Sequence, residues 1–253
     1  MTVYAIIPAR LRSTRLPRKL LLAETGRPLV QYAWETANRA RSLSGVRIAA
    51  DDAEIVSAVQ AFGGVCDMTG DHPSGTDRIA EVVRRELPDA EIIVNLQGDE
   101  PELDPGSIDR LVAVMHQTPT AEMGTLATPI RSLETLQSAS CVKVVCATDG
   151  RALYFSRSPI PHVRDADPQT LLASPESPWL LHVGIYAYRR DFLLRLTEKP
   201  VSRLEGLEKL EQLRALEAGA RIQVAVVEHH SVGIDTPDDY ARFVERQGKV
   251  CGR

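Results

Sequence analysis

Short, continuous apolar runs alternate with longer runs of helical period through the first half of the chain. The apolar runs are four to six residues long, as expected for buried strands; they are Val3–Ile7, Val46–Ala50, 65–68 and 91–96. The segments between them place apolar residues three or four positions apart, as on one helix face; they are 28–41, 52–64 and 75–87. This alternation predicts a parallel sheet that is covered on both faces.

The second half of the chain has more strand-like runs and less helix. In chain order it predicts two strands, a long loop rich in Pro, Ser and Asp, a third strand, a helix, a fourth strand and a final helix. These segments are 141–147, 151–156, 158–179, 182–190, about Arg203 to Glu217, 221–227 and a helix from Pro237. The predicted fold class is α/β, with a mostly parallel central sheet, helices on both faces and a smaller β-rich lobe. We expect one domain over 1–253, with lobes of about 1–130 and 131–253.

Composition narrows the class of protein. The chain has 253 residues, a formal net charge of −4 and 43% hydrophobic residues, which is ordinary for a globular protein. No apolar run reaches the ~18 residues that a membrane span needs, and the sequence enters a strand directly, so we expect neither a membrane protein nor a targeting segment. The four cysteines form no CxxC pair, which favours reduced thiols and a cytoplasmic protein.

A basic loop, PARLRSTRLPRK, follows the first strand. It concentrates five cations within ten residues: Arg10, Arg12, Arg15, Arg18 and Lys19. It could be a nucleic-acid segment, a solvated surface loop or a cradle for a polyanion. The sequence pI near 5.9 argues against nucleic acid, because nucleic-acid binders carry a broad basic face. Neither a Walker A nor a GxGxxG motif is present, but Arg and Lys at a strand end can still hold several phosphate oxygens.

Two aspartates follow other strands and have no capping role to play. Asp99 follows an apolar strand, while Asp104 already stands before Pro105 as the cap of the next helix. Likewise Thr236 is the natural N-cap before Pro237, which leaves Asp235 available. Ligands of open parallel sheets bind beyond the carboxyl ends of the strands. Two carboxylates beside a phosphate loop predict a Mg²⁺ site, since this ion prefers carboxylate and phosphate oxygens.

Polar residues also occur at apolar positions in the second half. His182 and Tyr186 share one strand face, with Arg157 upstream, and this set could bind an acidic, hydroxylated ligand or serve the structure alone. Glu211 falls on the apolar side of the predicted helix, where it is either a salt-bridged edge residue or a cleft residue.

The order of these motifs resembles the 3-deoxy-manno-octulosonate (KDO) cytidylyltransferases, also called CMP-KDO synthetases, over roughly residues 3–246. The segments that carry the resemblance are IPAR, STRLP, TGRPLVQYAWE, DHPSGTDRIAEV, IIVNLQGDEP, VKVV, ALYFSRSPIP, HVGIYAYRR, LEKLEQLR and GIDTPDD. The resemblance implies a glycosyltransferase-A-like nucleotidyltransferase fold, a homodimer, CTP as the nucleotide and Mg²⁺ as the cofactor. It also implies a nucleotide-binding first lobe and a second lobe for the acceptor and dimerisation.

The resemblance assigns roles residue by residue. The catalytic set it implies is Arg10, Lys19, Asp99 and Asp235, and the two aspartates would hold the metal. The nucleotide-binding set is Pro8, Ala9, Arg10, Ser13, Arg15, Lys19, Ser74, Arg78 and Gln97. The acceptor-binding set is Arg157, His182, Tyr186, Glu211 and Gln212. The sequence departs from the family pattern at Leu11, Arg12, Arg18 and Leu20, where Arg18 replaces a glycine, and in the loop 165–179.

The expected reaction is attack by the anomeric hydroxyl of KDO on the α-phosphorus of CTP, with release of pyrophosphate. A different acidic acceptor, such as a phosphonate or another ulosonic acid, is the alternative within the same chemistry. A nucleotide-sensing module without turnover is a third possibility, although a sensor would not need two metal ligands.

Overall fold

The computed structural model describes residues 1–174, 177–228 and 231–251. The strands are β1 (Val3–Ala9), β2 (Gly45–Ala50), β3 (Val65–Met68), β4 (Ile92–Asn95), β5 (Met123–Pro129), β6 (Lys143–Cys146), β7 (Ala152–Ser156), β8 (Leu180–Arg189) and β9 (Ile222–Val226). The helices are α1 (Leu29–Arg39), α2 (Ala53–Ala61), α3 (Gly75–Glu86), α4 (Pro105–Gln117), α5 (Leu133–Gln137), α6 (Pro168–Leu172), α7 (Arg190–Thr197), α8 (Arg203–Glu208), α9 (Gln212–Glu217) and α10 (Pro237–Cys251).

The chain forms two compact units. The first comprises Met1–Asp109 together with Ser231–Arg253, and the second comprises Arg110–His230. This division differs from the predicted lobes of 1–130 and 131–253, because α10 packs with the first unit. The ring of Phe243 in α10 meets the ring of Tyr32 in α1 edge-on, with centroids 5.1 Å apart. Burial of these rings draws the end of the chain into the core of the first unit.

The sheet of the first unit has the strand order β3-β2-β1-β4, and every pair in it is parallel. All four residues of β4 are buried, as are Val3, Ala5, Ile6, Ile7 and Ala9 of β1. Parallel strands buried on both faces read as continuous apolar runs, which is why the sequence reveals them. Because these strands run in the same direction, their carboxyl ends meet at one edge of the sheet.

Capping residues set the helix positions in the first unit. Asp52 caps α2 by accepting a hydrogen bond from the Glu54 amide, and Ser74 caps α3 by accepting one from the Asp77 amide. Gly63 follows α2 with a φ of 82°, a conformation that a glycine adopts without steric cost. The sequence prediction of a helix over 75–87 and of helices beginning at Pro105 and Pro237 agrees with the structure.

The second unit contains a mixed sheet. Strand β5 pairs antiparallel with β8 on one side and parallel with β9 on the other. Strand β6 pairs antiparallel with both β7 and β8. A β-bulge interrupts the β5–β8 pairing, because Thr125 pairs with Tyr186 whereas the next residue, Leu126, pairs with Val183. This unit is the β-rich part that the sequence predicted.

The predicted continuous helix from Arg203 to Glu217 is wrong. The structure has two short helices, α8 and α9, because Lys209 adopts a left-handed conformation with a φ of 55° and ends α8. Glu211 therefore lies at the start of a new helix rather than on the stripe of a longer one. The segment predicted as a loop over 158–179 also contains the short helix α6, which Asp167 caps. No helix in the described ranges is long and apolar enough to cross a membrane.

Candidate active site

A cavity of about 430 Å³ lies in the first unit, where β1 and β4 end. The basic loop, the first residue of α3 and the segment after β4 form its walls. The lining residues are Pro8, Arg10, Arg12, Ser13, Thr14, Lys19, Leu20, Gly75, Gln97, Gly98 and Asp99. Three cations against one carboxylate give these walls an excess of positive charge, which suits a polyphosphate ligand. Of the predicted nucleotide-binding residues, Pro8, Arg10, Ser13, Lys19 and Gln97 thus share one cavity.

Lys19 joins the two aspartates that the sequence singled out. Its buried ammonium group donates to Asp99 Oδ2 and to Asp235 Oδ1, the latter at 3.1 Å. Arg15 adds a second cation, with its Nη2 atom 3.0 Å from the same Asp235 oxygen. Residues 15, 19, 99 and 235 are far apart in sequence, yet they form one charged cluster at the wall of the cavity.

The donor set of this cluster fits a magnesium ion. Two carboxylates reach the same Lys19 ammonium, so both can also reach a common metal cation, and a substrate phosphate could complete its coordination by oxygen. Among residues 1–174, 177–228 and 231–251, no group of three or more His, Cys, Asp or Glu side chains is placed to hold a metal ion. In proteins, a Mg²⁺ ion that also binds substrate phosphates is usually held by one or two carboxylates.

Main-chain contacts hold the two aspartates in place. The amide of Ile234 donates to the carbonyl oxygen of Asp99 at 2.9 Å, which ties the two ligand segments together. Thr236 caps α10 by accepting from the Asp239 amide at 3.2 Å, as predicted, and this leaves Asp235 available for Lys19. Asp239 in turn accepts from the amides of Asp235 and Thr236, at 3.2 and 2.9 Å. Hydrogen bonds from Thr236 lower the pKa of Asp239, although its burial opposes them.

Asp239 and Glu100 are site residues that sequence reasoning missed. Glu100 accepts a hydrogen bond from the Ser231 hydroxyl at 2.6 Å. Burial raises the pKa of Glu100 to about 7, and the neighbouring charge of Asp99 adds to this effect. The T-x-x-D pattern of a capping box could have indicated Asp239. Nothing in the sequence links Glu100 to a serine that lies 131 positions away.

Three predicted nucleotide-binding residues are not among the residues that line the cavity. Ala9 is fully buried at the end of β1. Ser74 caps α3, and its hydroxyl donates to the Asp77 carboxylate at 2.7 Å. Arg78 is only 1% exposed, and its burial lowers the pKa of the guanidinium. The structure therefore places these three residues next to the cavity lining rather than in it.

Arg78 acts on the basic loop through Asp51. Its guanidinium donates to Asp51 Oδ2 at 3.3 Å and to the side chain of Thr69. The other oxygen of Asp51 accepts from the Leu11 amide at 2.9 Å, in the middle of the basic loop. A buried cation thus orients the carboxylate that holds the loop backbone.

The second unit brings together three of the predicted acceptor-binding residues. The rings of His182 and Tyr186 lie 5.4 Å apart, as their shared strand face predicts. The Tyr186 hydroxyl donates to Gln212 Oε1 at 3.2 Å. Packing against Phe155 and Tyr186 desolvates His182 and lowers its pKa to about 3, so the imidazole is neutral.

Arg157 and Glu211 have other contacts. The Arg157 guanidinium donates to the carbonyl oxygens of Glu208 at 2.8 Å and Ala139 at 2.9 Å. The buried Lys143 ammonium donates to the carbonyl oxygen of Arg157, so both the main chain and the side chain of Arg157 are held by hydrogen bonds. Glu211 Oε1 lies 3.8 Å from the Arg214 guanidinium.

A mostly parallel α/β sheet with a basic loop and two carboxylates joined by Lys19 is the arrangement expected of a nucleotidyltransferase. The sequence profile of the cytidylyltransferase family matches residues 4–222. The chain belongs to this family.

Similar proteins agree with this assignment. The 3-deoxy-manno-octulosonate cytidylyltransferase of Geobacter sulfurreducens is 49% identical over 250 residues, which cover 97% of this chain and 99% of that protein. The protein of the same name from Rhodopirellula baltica is 45% identical, with coverage of 97% and 98%. A solved structure of CMP:2-keto-3-deoxy-manno-octonic acid synthetase complexed with CTP matches with a TM-score of 0.90 and 41% identity, covering 98% of this chain and 99% of that one. This match confirms the predicted α/β fold.

Proposed function

We propose that this chain is a magnesium-dependent cytidylyltransferase that converts CTP and KDO to CMP-KDO and pyrophosphate. The observation that carries the proposal is the bridge from Lys19 to Asp99 and Asp235 at the wall of a positively charged cavity. The names of the similar proteins support CTP as the nucleotide and KDO as the acceptor.

The residues of the first unit account for nucleotide binding and charge neutralisation. Arg10, Arg12 and Lys19 face the cavity and would hold the triphosphate, whose negative charge grows on the leaving pyrophosphate. The anomeric oxygen of KDO bonds to the α-phosphorus, the bond from that phosphorus to the bridging oxygen of the leaving group breaks, and the hydroxyl proton passes to solvent. Asp99 and Asp235 would hold Mg²⁺, which when bound would add charge neutralisation and would lower the pKa of the attacking hydroxyl.

The residues of the second unit suit a sugar acid. Tyr186 and Gln212 present an ordered pair of polar groups, and the Gln212 Nε2 atom is buried without a hydrogen-bond partner in the described part of the chain. A buried amide without a partner is costly, so a ligand oxygen that accepts from it would bind favourably. Arg157 still has guanidinium N–H groups beyond the two that meet carbonyl oxygens, and these could pair with the KDO carboxylate.

A more anionic acceptor, such as a phosphonate, is less well supported. Such an acceptor would be favoured by the additional cation that Arg18 brings to the basic loop. In the structure the Arg18 guanidinium pairs with Glu54 of α2, and Arg18 is not among the cavity-lining residues. The extra charge is therefore balanced locally by a carboxylate.

A pyrophosphate-release assay tests the proposal. We expect CTP, Mg²⁺ and KDO together to release pyrophosphate, and expect other nucleotides or a small phosphonate acceptor to give much slower release. Release with a phosphonate but not with KDO would overturn the acceptor assignment.

Asp99→Asn and Asp235→Asn should each abolish turnover, and the double variant should be hardly slower, because residues that act as one unit are not additive.

We also propose a homodimer that forms through the second unit, within one 1–253 domain. Leu153 of β7 and Val226 of β9 are each 48% exposed, which is apolar surface that a second copy could cover. A monomer in light scattering at micromolar concentration would contradict the dimer.

We propose a cytoplasmic location, since Cys66, Cys141 and Cys146 are free thiols, as in a reducing compartment.

A further inference from the structure

The imidazole of His182 has a hydrogen-bond partner in the neighbouring strand. Its Nε2 atom lies 2.9 Å from the hydroxyl oxygen of Thr125 in β5. In the part of the chain that the structure describes, the imidazole ring makes this one hydrogen bond. The ring also packs against the aromatic rings of Phe155 and Tyr186. Either atom of the pair could be the donor, so the tautomer depends on what else the hydroxyl contacts.

Thr125 has two further partners, and both can only accept. Its hydroxyl oxygen lies 2.8 Å from the carbonyl oxygen of Ile185 and 3.2 Å from that of Val183. The bulge in β8 brings both carbonyls to this position, because it places Gly184 and Ile185 between the residues that pair with β5. Thr125 is fully buried, so water cannot replace either partner.

The single hydroxyl proton therefore belongs to the main chain. If Thr125 donated to His182 instead, its oxygen would face two carbonyl oxygens at hydrogen-bond distance with no proton between them, which is electrostatically unfavourable. When the proton points to Ile185, a lone pair of the hydroxyl faces the ring, and Nε2 must carry the hydrogen. The imidazole then has its remaining lone pair on Nδ1.

We propose that Thr125 is a positioning residue that fixes His182 as the neutral Nε2–H tautomer, so that Nδ1 accepts a hydrogen bond from a hydroxyl group of the acceptor substrate. The identity of that substrate rests on the proposed function, whereas the tautomer rests only on the contacts of Thr125. Tyr186, whose ring lies 5.4 Å from that of His182, also donates to Gln212, whose buried Nε2 is a donor. The second unit would thus offer one acceptor and one donor to a hydroxylated ligand.

The tautomer is measurable without substrate by NMR of protein labelled with ¹⁵N-histidine. At neutral pH we expect the His182 ring to show a protonated Nε2 and an unprotonated Nδ1, with its signals assigned by their loss in His182→Gln. A protonated Nδ1, or rapid exchange between tautomers, in the unmodified protein overturns the proposal. This outcome is independent of whether any acceptor is turned over, so it separates a failure here from a failure of the proposed function.

Two substitutions at Thr125 test the positioning role. Thr125→Val keeps the shape of the side chain but removes the hydroxyl, and Thr125→Ser keeps the hydroxyl. We expect the valine variant to lose the single tautomer and to raise the KM for the acceptor by about 10-fold, with the KM for CTP unchanged. The serine variant should keep the tautomer and an acceptor KM within about 3-fold of the unmodified enzyme. An unchanged tautomer in folded Thr125→Val contradicts the proposal; if that variant does not fold, the spectrum of the unmodified protein decides.

Discussion

Arg18, in the basic loop, has a backbone conformation that glycine adopts more easily than arginine. It has a φ of 56°, in the left-handed region that favours glycine, immediately before the 3₁₀ turn Lys19–Leu21. Its side chain pairs with Glu54, and this contact raises the pKa of the guanidinium. The glycine that the related sequence pattern has at this position would adopt the same backbone without steric cost.

Substitution at Arg18 should therefore favour glycine over alanine. Both Arg18→Gly and Arg18→Ala lose the exposed ion pair, but only alanine retains the steric cost of the left-handed backbone. We expect the glycine variant to have a Tm about 2–4 °C above that of the alanine variant, with unchanged CTP affinity in both. Differential scanning calorimetry measures this order. A higher Tm for Arg18→Ala would show that residue 18 leaves the left-handed conformation in solution.

Removal of Lys19 should change how the protein responds to magnesium. In Lys19→Ala, the carboxylates of Asp99 and Asp235 lose the cation that they share. We expect a lower Tm without metal, a larger rise in Tm on addition of Mg²⁺ than the unmodified protein shows, and CTP binding weakened by at least about 10-fold. Thermal shift and calorimetric titration measure these effects.

Lys19→Arg is the matched control, because it keeps the positive charge. It should bind Mg²⁺ without nucleotide about as weakly as the unmodified protein does. Equal Mg²⁺-induced shifts in Lys19→Ala and the unmodified protein would contradict a metal site at these two carboxylates.

Among the helices and strands, the break between α8 and α9 is the main feature that the sequence did not predict. The apolar residues of 203–217 keep a helical spacing through the break, so periodicity alone suggests one helix. Lys209 ends α8 in a left-handed conformation, which lysine rarely adopts, and the start of α8 is fixed by the capping box of Ser202 and Glu205. Tertiary contacts of α8 and α9 therefore outweigh local helix propensity here.

A buried ion pair holds α8 against α9. Arg214 of α9 donates to both carboxylate oxygens of Glu205, at 2.6 and 2.8 Å, and these side chains are about nine-tenths buried. Glu205→Ala removes the carboxylate that accepts both hydrogen bonds of this buried pair and that also completes the capping box with Ser202, so we expect the free energy of unfolding to fall by about 3 kcal/mol. Urea denaturation measures this loss.

The exposed pair of Glu122 and Arg195 provides the comparison for Glu205. Their nitrogen and oxygen atoms are 3.3 Å apart, but the side chains are 38% and 59% exposed. Glu122→Ala should lower the free energy of unfolding by less than about 1 kcal/mol. Similar losses from both substitutions would mean that burial of the α8–α9 pair does not strengthen it.

Strand β5 shows why one central element escaped sequence analysis. Its sequence, MGTLATP, contains a glycine, a proline and two threonines, all of which weaken a strand pattern or make it appear polar. Six of its seven residues are nevertheless buried, and Thr125 and Thr128 direct their hydroxyls to main-chain carbonyls. Such strands depend on neighbours that only the folded chain supplies.

At the scale of the whole molecule, the sequence predicted those site residues whose roles could be inferred from their immediate neighbours in the chain. The basic loop could be found from its five cations, and Asp99 and Asp235 could be singled out because Asp104 and Thr236 already stand at the N-cap positions of the helices that follow. Glu100 and Thr125 could not be found, because their roles depend on Ser231 and on the β8 bulge, which are distant in sequence. The discontinuous first unit was missed for the same reason, since α10 joins it through aromatic contacts.

The acid response of the whole fold should depend on His182. Its pKa is about 3 in the folded protein and about 6.5 in an unfolded chain. Between these values the unfolded chain binds a proton that the folded protein does not bind. Acidification through this window therefore lowers the free energy of unfolding, by up to about 1.4 kcal/mol per pH unit from this residue, and stability returns as the pH rises above 6.5.

His182→Gln removes this proton-linked loss while keeping a polar side chain beside Thr125. We expect the variant to be less stable than the unmodified protein at pH 7, where it loses the packing of the ring, but to lose less further stability between pH 6.5 and 4.5. Urea denaturation across this range measures both slopes. Parallel pH profiles for His182→Gln and the unmodified protein would show that the pKa of His182 is the same in the folded and unfolded states, because only a difference between the two makes stability depend on its titration.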